Sequence, residues 1–269
     1  SIQGLAKDSA DKFRVDADGG NFVFWLNDKP VTQINDGDYV NGEVGFFVET
    51  FDESLAHIHY DTLTIRQIEG EGVPLPVGGV LAEDDFTDPG TGWPVLAGDE
   101  ESTSLFGYHP PDFYHVEVSA EQVSEVVSKG PAFADVTVES ELFVEKTDSD
   151  NGDFRYGLAL RRTNDNFYAF TISSRTDSWY ILKSSVDGLE VLDEGSEDSI
   201  KGDGRANLNV LRVDAEGDEF IFYIDGRPVS ILSDADYPEG EVGFFVENFD
   251  EPLAHIHFDT LKISEVGFK

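Results

Sequence analysis

Residues 13–65 match residues 211–263 without a gap at a constant offset of 198, with 32 of 53 positions identical. Identity that dense over an ungapped stretch marks a duplication rather than shared composition. The strongest run is Glu43-Val-Gly-Phe-Phe-Val-Glu49 against Glu241-Val-Gly-Phe-Phe-Val-Glu247. It continues through Phe51-Asp-Glu53, Leu55-Ala-His-Ile-His59 and Asp61-Thr-Leu63, mirrored by Phe249-Asp-Glu251, Leu253-Ala-His-Ile-His257 and Asp259-Thr-Leu261. The two copies differ in what precedes them. Strand-like sequence fills residues 80–205 ahead of the second copy, and almost nothing stands ahead of the first. The expected organisation is therefore a C-terminal portion of one repeat over 1–66, a Gly/Pro-rich linker over 67–79, a complete domain over 80–264 and a tail over 265–269.

Period-two alternation dominates the complete copy and predicts strands. Val136, Val138, Leu142 and Val144 alternate with Thr137, Glu139, Glu141 and Glu145, while Tyr168, Phe170 and Ile172 share a face. Asp225-Gly226 after Phe220–Ile224 predicts a two-residue hairpin of type I′. Asn27-Asp28 stands at the same place in the first copy, and Glu216-Gly217 and Gly19-Gly20 mark the preceding turns. Ile256 and Phe258 have one parity and Leu261 and Ile263 the other, so a bulge near Asp259-Thr260 is needed if all four face a core. Residues 121–128 are ambiguous between a short helix and irregular chain, and no long amphipathic helix is readable elsewhere. Many short strands at close spacing predict an all-β sandwich.

Charge restricts the partners. Lys plus Arg total 18 against 55 Asp plus Glu, a formal net charge of −37. Such a surface repels nucleic-acid phosphates and anionic lipid, which strongly disfavours both as partners, and it attracts divalent cations. A solvated acidic surface suited to high salt and a set of specific calcium sites are both consistent with it. The absence of Cys removes disulfides, thiolate catalysis and Cys-ligated zinc. The absence of Met makes Ser1 an expected processing or internal boundary. Apolar runs reach only Phe22-Val23-Phe24-Trp25-Leu26, too short for a transmembrane helix.

The run Asp84-Asp-Phe-Thr-Asp-Pro-Gly-Thr-Gly-Trp-Pro94 opens a familiar order of motifs. Tyr156-Gly-Leu-Ala-Leu-Arg161, Asn164–Ile172, Leu211-Arg-Val213, Tyr223-Ile-Asp-Gly226, Gly240–Phe244 and Phe258-Asp259 follow. Together they resemble the concanavalin A-like lectin/glucanase superfamily, and within it bacterial surface domains related to laminin-G-like and 3-keto-disaccharide hydrolase-like modules. The resemblance implies a jelly-roll β-sandwich whose first and last strands lie together. It also implies a structural calcium there, at Asp84 or Asp85 and Asp259.

Glucanases of this fold carry a Glu-x-Asp-x-x-Glu strand motif, which is not found; Glu139-Ser-Glu141 reaches Val144 where the last Glu would stand. Glu247, Asp250 and Glu251 read as a solvated acidic turn, with a calcium loop or a catalytic pair as the alternatives. His255 and His257, like His57 and His59, share one strand face, with only two ligands for a metal and an expected outward orientation. Sugar binding would use aromatic faces beside polar groups, and Arg161, Tyr168, Trp179 and Tyr180 are the expected ligand-binding group. Trp93 reads as a packing anchor.

These readings favour a non-enzymatic extracellular or cell-surface protein of tandem acidic jelly rolls, forming a surface layer, filament or adhesive element. Its partners would be copies of itself or upstream domains, because a partial sandwich exposes apolar faces and strand edges. The alternatives are a carbohydrate-binding module and a glycoside or keto-sugar hydrolase.

Overall fold

A computed structural model describes residues 11–18, 21–27, 29–35, 44–49, 58–65, 77–98 and 102–266. The chain divides into two compact units, Ser1–Val73 and Pro74–Lys269. The Gly19-Gly20 turn, Asp28, His57, most of the 67–79 linker and the last residues of the tail lie outside the described residues.

In the second unit the strands in chain order are β4 (Val77–Asp84), β5 (Ser104–His109), β6 (Phe113–Val118), β7 (Val123–Phe133), β8 (Val136–Thr147), β9 (Phe154–Thr163), β10 (Asn166–Ser173), β11 (Ser178–Ser185) and β12 (Gly188–Ser196). They continue with β13 (Asn209–Glu216), β14 (Glu219–Ile224), β15 (Arg227–Ser233), β16 (Gly240–Asn248) and β17 (Ala254–Val266). One sheet has the order β12-β11-β10-β9-β16-β7. The other has the order β15-β14-β13-β8-β17-β6-β5, with β4 also on β17. Every pairing is antiparallel. The fold is therefore an all-β jelly-roll sandwich.

Strand alternation builds the core. Tyr114, Val116 and Val118 of β6, Phe154, Tyr156, Leu158 and Leu160 of β9, and Val242, Phe244 and Val246 of β16 all turn into the space between the sheets. Each such side chain removed from water contributes about 1.5–3 kcal/mol. Trp93 is the anchor its setting suggests: its ring stacks on Phe244 at 5.1 Å, and its Nε1 donates to Asp84 Oδ2 at 3.0 Å. Phe244 in turn stacks on Phe258 at 3.8 Å.

The phase slip in β17 is present. Its register against β8 shifts between Phe258 and Thr260, and Ile256, Phe258, Leu261 and Ile263 are all buried. The extra residue lets both halves of a long strand face one core. It also divides β17 between two neighbours: Ala254–Phe258 pair with β6, and Leu261–Val266 pair with β4. Asp225 and Gly226 both take positive φ, as a type I′ turn requires. Residues 121–128 are not helical: Val123 begins β7, which pairs with β16 from Asn248↔Val123 onward. Pairing with a fully buried neighbour decides a segment whose local pattern is neutral.

The first unit contains β1 (Phe13–Asp18), β2 (Asn21–Leu26) and β3 (Lys29–Asn35) in one antiparallel sheet of order β1-β2-β3. Val23 and Trp25 are buried, while Phe13, Val15, Val31 and Ile34 are exposed.

Candidate functional site

The outward face of the six-stranded sheet carries the residues that alternate with the core. On β9 these include Arg155, Gly157 and Ala159; on β16 they include Gly243, Phe245 and Glu247. Ala159, Phe167, Ala169, Leu182 and Phe245 form a buried apolar cluster, and the partly exposed Val126 and Tyr180 pack over it. At one end of this floor Glu247 lies opposite Arg155 in the register. Arg155 Nε donates to Glu247 Oε2 at 2.6 Å. The guanidinium rests over the Tyr180 ring at 5.2 Å and the Phe249 ring at 5.1 Å. A cation between two aromatic faces, held by a carboxylate, is rigid and leaves ring surface half-buried. Arg155 is itself buried, so what this arrangement leaves open to a ligand is the free part of the Tyr180 and Phe249 rings and the partly exposed Glu247 carboxylate.

The acidic turn beyond Glu247 differs from a solvated one. Asn248 and Glu251 are fully buried. Asn248 Oδ1 accepts from the Glu251 amide at 2.9 Å, its Nδ2 donates to the Val118 carbonyl at 3.2 Å, and Glu251 Oε1 accepts from the Ser149 amide. Only Asp250 of this group stays exposed, accepting from the Asp153 amide at 2.6 Å. The buried pair uses its polarity to pin a turn whose backbone groups would otherwise lack partners.

The expected ligand-binding group is not brought together. Tyr168 and Trp179 are packed between the sheets, as strand parity directs. Arg161 is also buried; it donates to the Tyr237 and Ala134 carbonyls at 3.0 Å each and lies over Phe220 at 4.6 Å. Its positive φ marks a local departure from the strand that turns the side chain inward. Tyr180 alone of the four stands on the outward face. Of the residues beside it, Glu247 was read as part of an acidic turn rather than of a ligand-binding face, and Arg155 and Phe249 were missed, although parity opposite Phe154, Tyr156 and Val246 marks Arg155 and Glu247 as outward.

The three aspartates expected at a calcium have separate partners. Asp84 accepts from the Phe86 amide with Oδ1 and from Trp93 with Oδ2. Asp85 Oδ1 accepts from the amide and hydroxyl of Thr87, which hold its carboxyl below the usual range. Asp259 faces Arg205 at 3.7 Å; burial first, and then Asp112 and Asp85, push its carboxyl upward despite that arginine. Glu141, beside it, is raised by burial and by the charges of Asp259 and Glu139.

On the outward face of the other sheet, His255 and His257 are not an isolated exposed pair. β6 and β5 bring His115 and His109 beside them, and the four lie with one ring nitrogen each within 4.8 Å of one another. His257 is buried, stacked on Phe113 at 4.9 Å and set edge-on to Phe143 at 5.1 Å. Burial, reinforced by the neighbouring imidazoles, lowers His115 and His255 to about 4 and His257 to about 3. These three rings are neutral at pH 7.

No protein-family model matches the chain, and no curated protein sequence matches it. Solved structures do match in fold. Carbohydrate-binding module CBM66 from Bacillus subtilis aligns with a TM-score of 0.50 and 19% identity, covering 65% of this chain and 96% of that one. A Bacillus subtilis protein of unknown function with a galectin-like fold gives 0.50 and 12%, covering 70% of this chain and 98% of that one. The catalytic domain of the Thermotoga petrophila endo-1,3-β-glucanase (laminarinase) gives 0.50 and 11%, covering 71% of this chain and 99% of that chain. The last match corrects the expectation that the chain is not an enzyme. The same sandwich serves a catalytic domain, so absence of one strand motif does not separate this chain from catalysts. By architecture and by these matches, the chain carries the concanavalin A-like jelly-roll fold.

Proposed function

We propose that the jelly roll of the second unit binds carbohydrate on the outward face of its six-stranded sheet. The observation that carries this reading is the Arg155–Glu247 pair held between the rings of Tyr180 and Phe249 beside an apolar floor. Pyranose rings present flat C–H faces that pack on aromatic rings, and their hydroxyls pair with a carboxylate such as the partly exposed Glu247, which the buried Arg155 holds in place. The fold likeness to a module named for carbohydrate binding supports the same reading. A glycan-facing role fits a location outside the cell or on its surface. Among the described residues, no helix is long and apolar enough to cross a membrane.

The test is a glycan array followed by calorimetry with the strongest hit. Tyr180→Ala and Phe249→Ala are each expected to weaken binding by about tenfold, the value of one aromatic contact, with melting monitored alongside. A silent array, or unchanged affinity in both variants, would overturn the reading.

A second reading, an element of a polymeric surface assembly, is favoured by the exposed apolar residues of the first copy, such as Phe13, Phe46 and Phe47. Its partner would be another copy of the chain or a neighbouring repeat. Negative-stain microscopy distinguishes it: ordered polymers support it, and dispersed particles at high concentration contradict it.

A further inference from the structure

We propose that His109, His115, His255 and His257 form a binding site for one divalent first-row transition ion on the outward face of the eight-stranded sheet, with Glu117 at its edge. The site follows from register. β17 carries His255 and His257 on one face, β6 places His115 directly opposite His257, and β5 adds His109 from the next strand. His255 Nε2 lies 3.0 Å from His115 Nδ1 and 2.9 Å from His257 Nε2. Glu117 Oε1 lies 3.4 Å from both His115 Nδ1 and His255 Nε2. Two ring nitrogens thus crowd His255 Nε2, the Glu117 carboxylate flanks two of the three rings, and one nitrogen from each of the four histidines falls within 4.8 Å of the others.

Hydrogen bonding alone serves this cluster poorly. A neutral imidazole nitrogen offers either one proton or one lone pair, and His255 Nε2 is approached by two other ring nitrogens at once. It can answer only one of them. A cation at the shared centre accepts all three lone pairs. With metal–nitrogen bonds of about 2 Å, tetrahedral ligands stand about 3.3 Å apart, so the two close pairs at 2.9 and 3.0 Å need to spread by a few tenths of an ångström and the wider pairs, up to 4.8 Å, need to close through ring rotation. His109, exposed and stacked on His115 at 5.0 Å between ring centroids, completes the set.

The surroundings fit a ligand site. His257 Nδ1 is buried without a hydrogen-bond partner, and the nearest carboxylate, Glu145, has Oε2 3.9 Å away. Metal-bound histidines commonly turn their second nitrogen to such a carboxylate. Phe113 and Phe143 fix the His257 ring, which lowers the ordering cost of binding. Imidazole donors select zinc, copper, nickel or cobalt over calcium and magnesium, and the net charge of −37 raises the local concentration of any cation. The first copy carries only His57 and His59, so one tight ion per chain is expected rather than two.

The test uses chelator-stripped full-length chain titrated with zinc alone at pH 7.5, and with cobalt for its visible spectrum. The expected result is one zinc per chain, no competition from excess calcium, and cobalt bands of nitrogen-rich tetrahedral coordination. His255→Gln is expected to lower zinc affinity by at least about 100-fold, and the exposed His109→Gln by about tenfold, with folding checked by circular dichroism. Should His255→Gln fail to fold, the cobalt spectrum of the parent and the His109→Gln titration decide the matter. No saturable zinc binding by the parent, a cobalt spectrum without nitrogen ligation, or unchanged affinity in a folded variant would overturn the assignment.

Discussion

In the second copy β13 pairs with β14 from Leu211↔Ile224 to Glu216↔Glu219; in the first, β1 pairs with β2 from Phe13↔Leu26 to Asp18↔Asn21, the same register 198 residues earlier. Even the bulge is shared, between Phe222 and Tyr223 in one and between Phe24 and Trp25 in the other. Arg212 clasps Asp214 at 2.8 Å and lies over Tyr223, as Arg14 clasps Asp16 at 2.7 Å and lies over Trp25. The Phe244–Phe258 stack at 3.8 Å returns as Phe46–Tyr60 at 3.8 Å. Burial is what differs. Phe245 is 1% exposed and its counterpart Phe47 is 82% exposed; Leu211 is 0% exposed and Phe13 is 74% exposed. Local sequence sets hairpin, register and short-range pairs in both copies. The closed core of the second copy needs the buried residues of β6–β11 packed against those of β13–β17, and the described residues of 1–66 show no counterpart of β6–β11.

The sharpest break of this comparison is a matched pair of truncations. Phe244→Ala should cost about 3–5 kcal/mol in urea denaturation, because it empties a packed site between Trp93 and Phe258. Phe46→Ala should cost under about 0.5 kcal/mol, since that ring is exposed. Similar costs would show that both copies are equally packed.

A second pair tests the arginines. Arg212→Ala strands a buried Asp214 that also accepts from Thr137 Oγ1 at 2.7 Å, and should cost about 3 kcal/mol. Arg14→Ala removes the part-exposed version of the same ion pair and should cost about 0.2–1 kcal/mol. Equal effects would mean that exposure does not set the worth of this pair.

The smallest expected effect concerns a charge that the complete copy buries at a cost. Glu141 is raised by burial and by Asp259 and Glu139. A carboxyl raised in the folded state binds its proton more readily there than in the unfolded chain. The charged form therefore destabilises the fold above the folded pKa, and the penalty vanishes as pH falls below the unfolded value of about 4.3. Glu141→Gln should raise stability at pH 7 by under about 1 kcal/mol and make no difference near pH 3.5, as read from melting temperatures. A variant less stable than the parent at pH 7 would contradict the sign.

Strand alternation, the Asp225-Gly226 turn and the parity slip at Asp259-Thr260 each depend on neighbours in sequence, so the sandwich was legible. The candidate sites depend on which strands lie side by side. His115 and His255 are 140 positions apart and meet only because β17 borders β6. Alternation places each of the four histidines on an outward face, but no local signal says that the faces are one. Arg161, Tyr168 and Trp179 failed in the opposite way. Their chemistry suggested a ligand, while parity and one positive φ turned them to the core. Residues 121–128 were ambiguous because β7 is a strand by partnership with β16 rather than by its own composition.

Hydrogen–deuterium exchange on the whole chain reads both copies in one sample. Amides of β13 and β14 are expected to exchange at least about 100-fold more slowly than those at the matching positions of β1 and β2, because only the former sit in a closed core. Equal protection at matched positions would contradict the claim that covering strands, rather than the repeated sequence itself, make this fold stable.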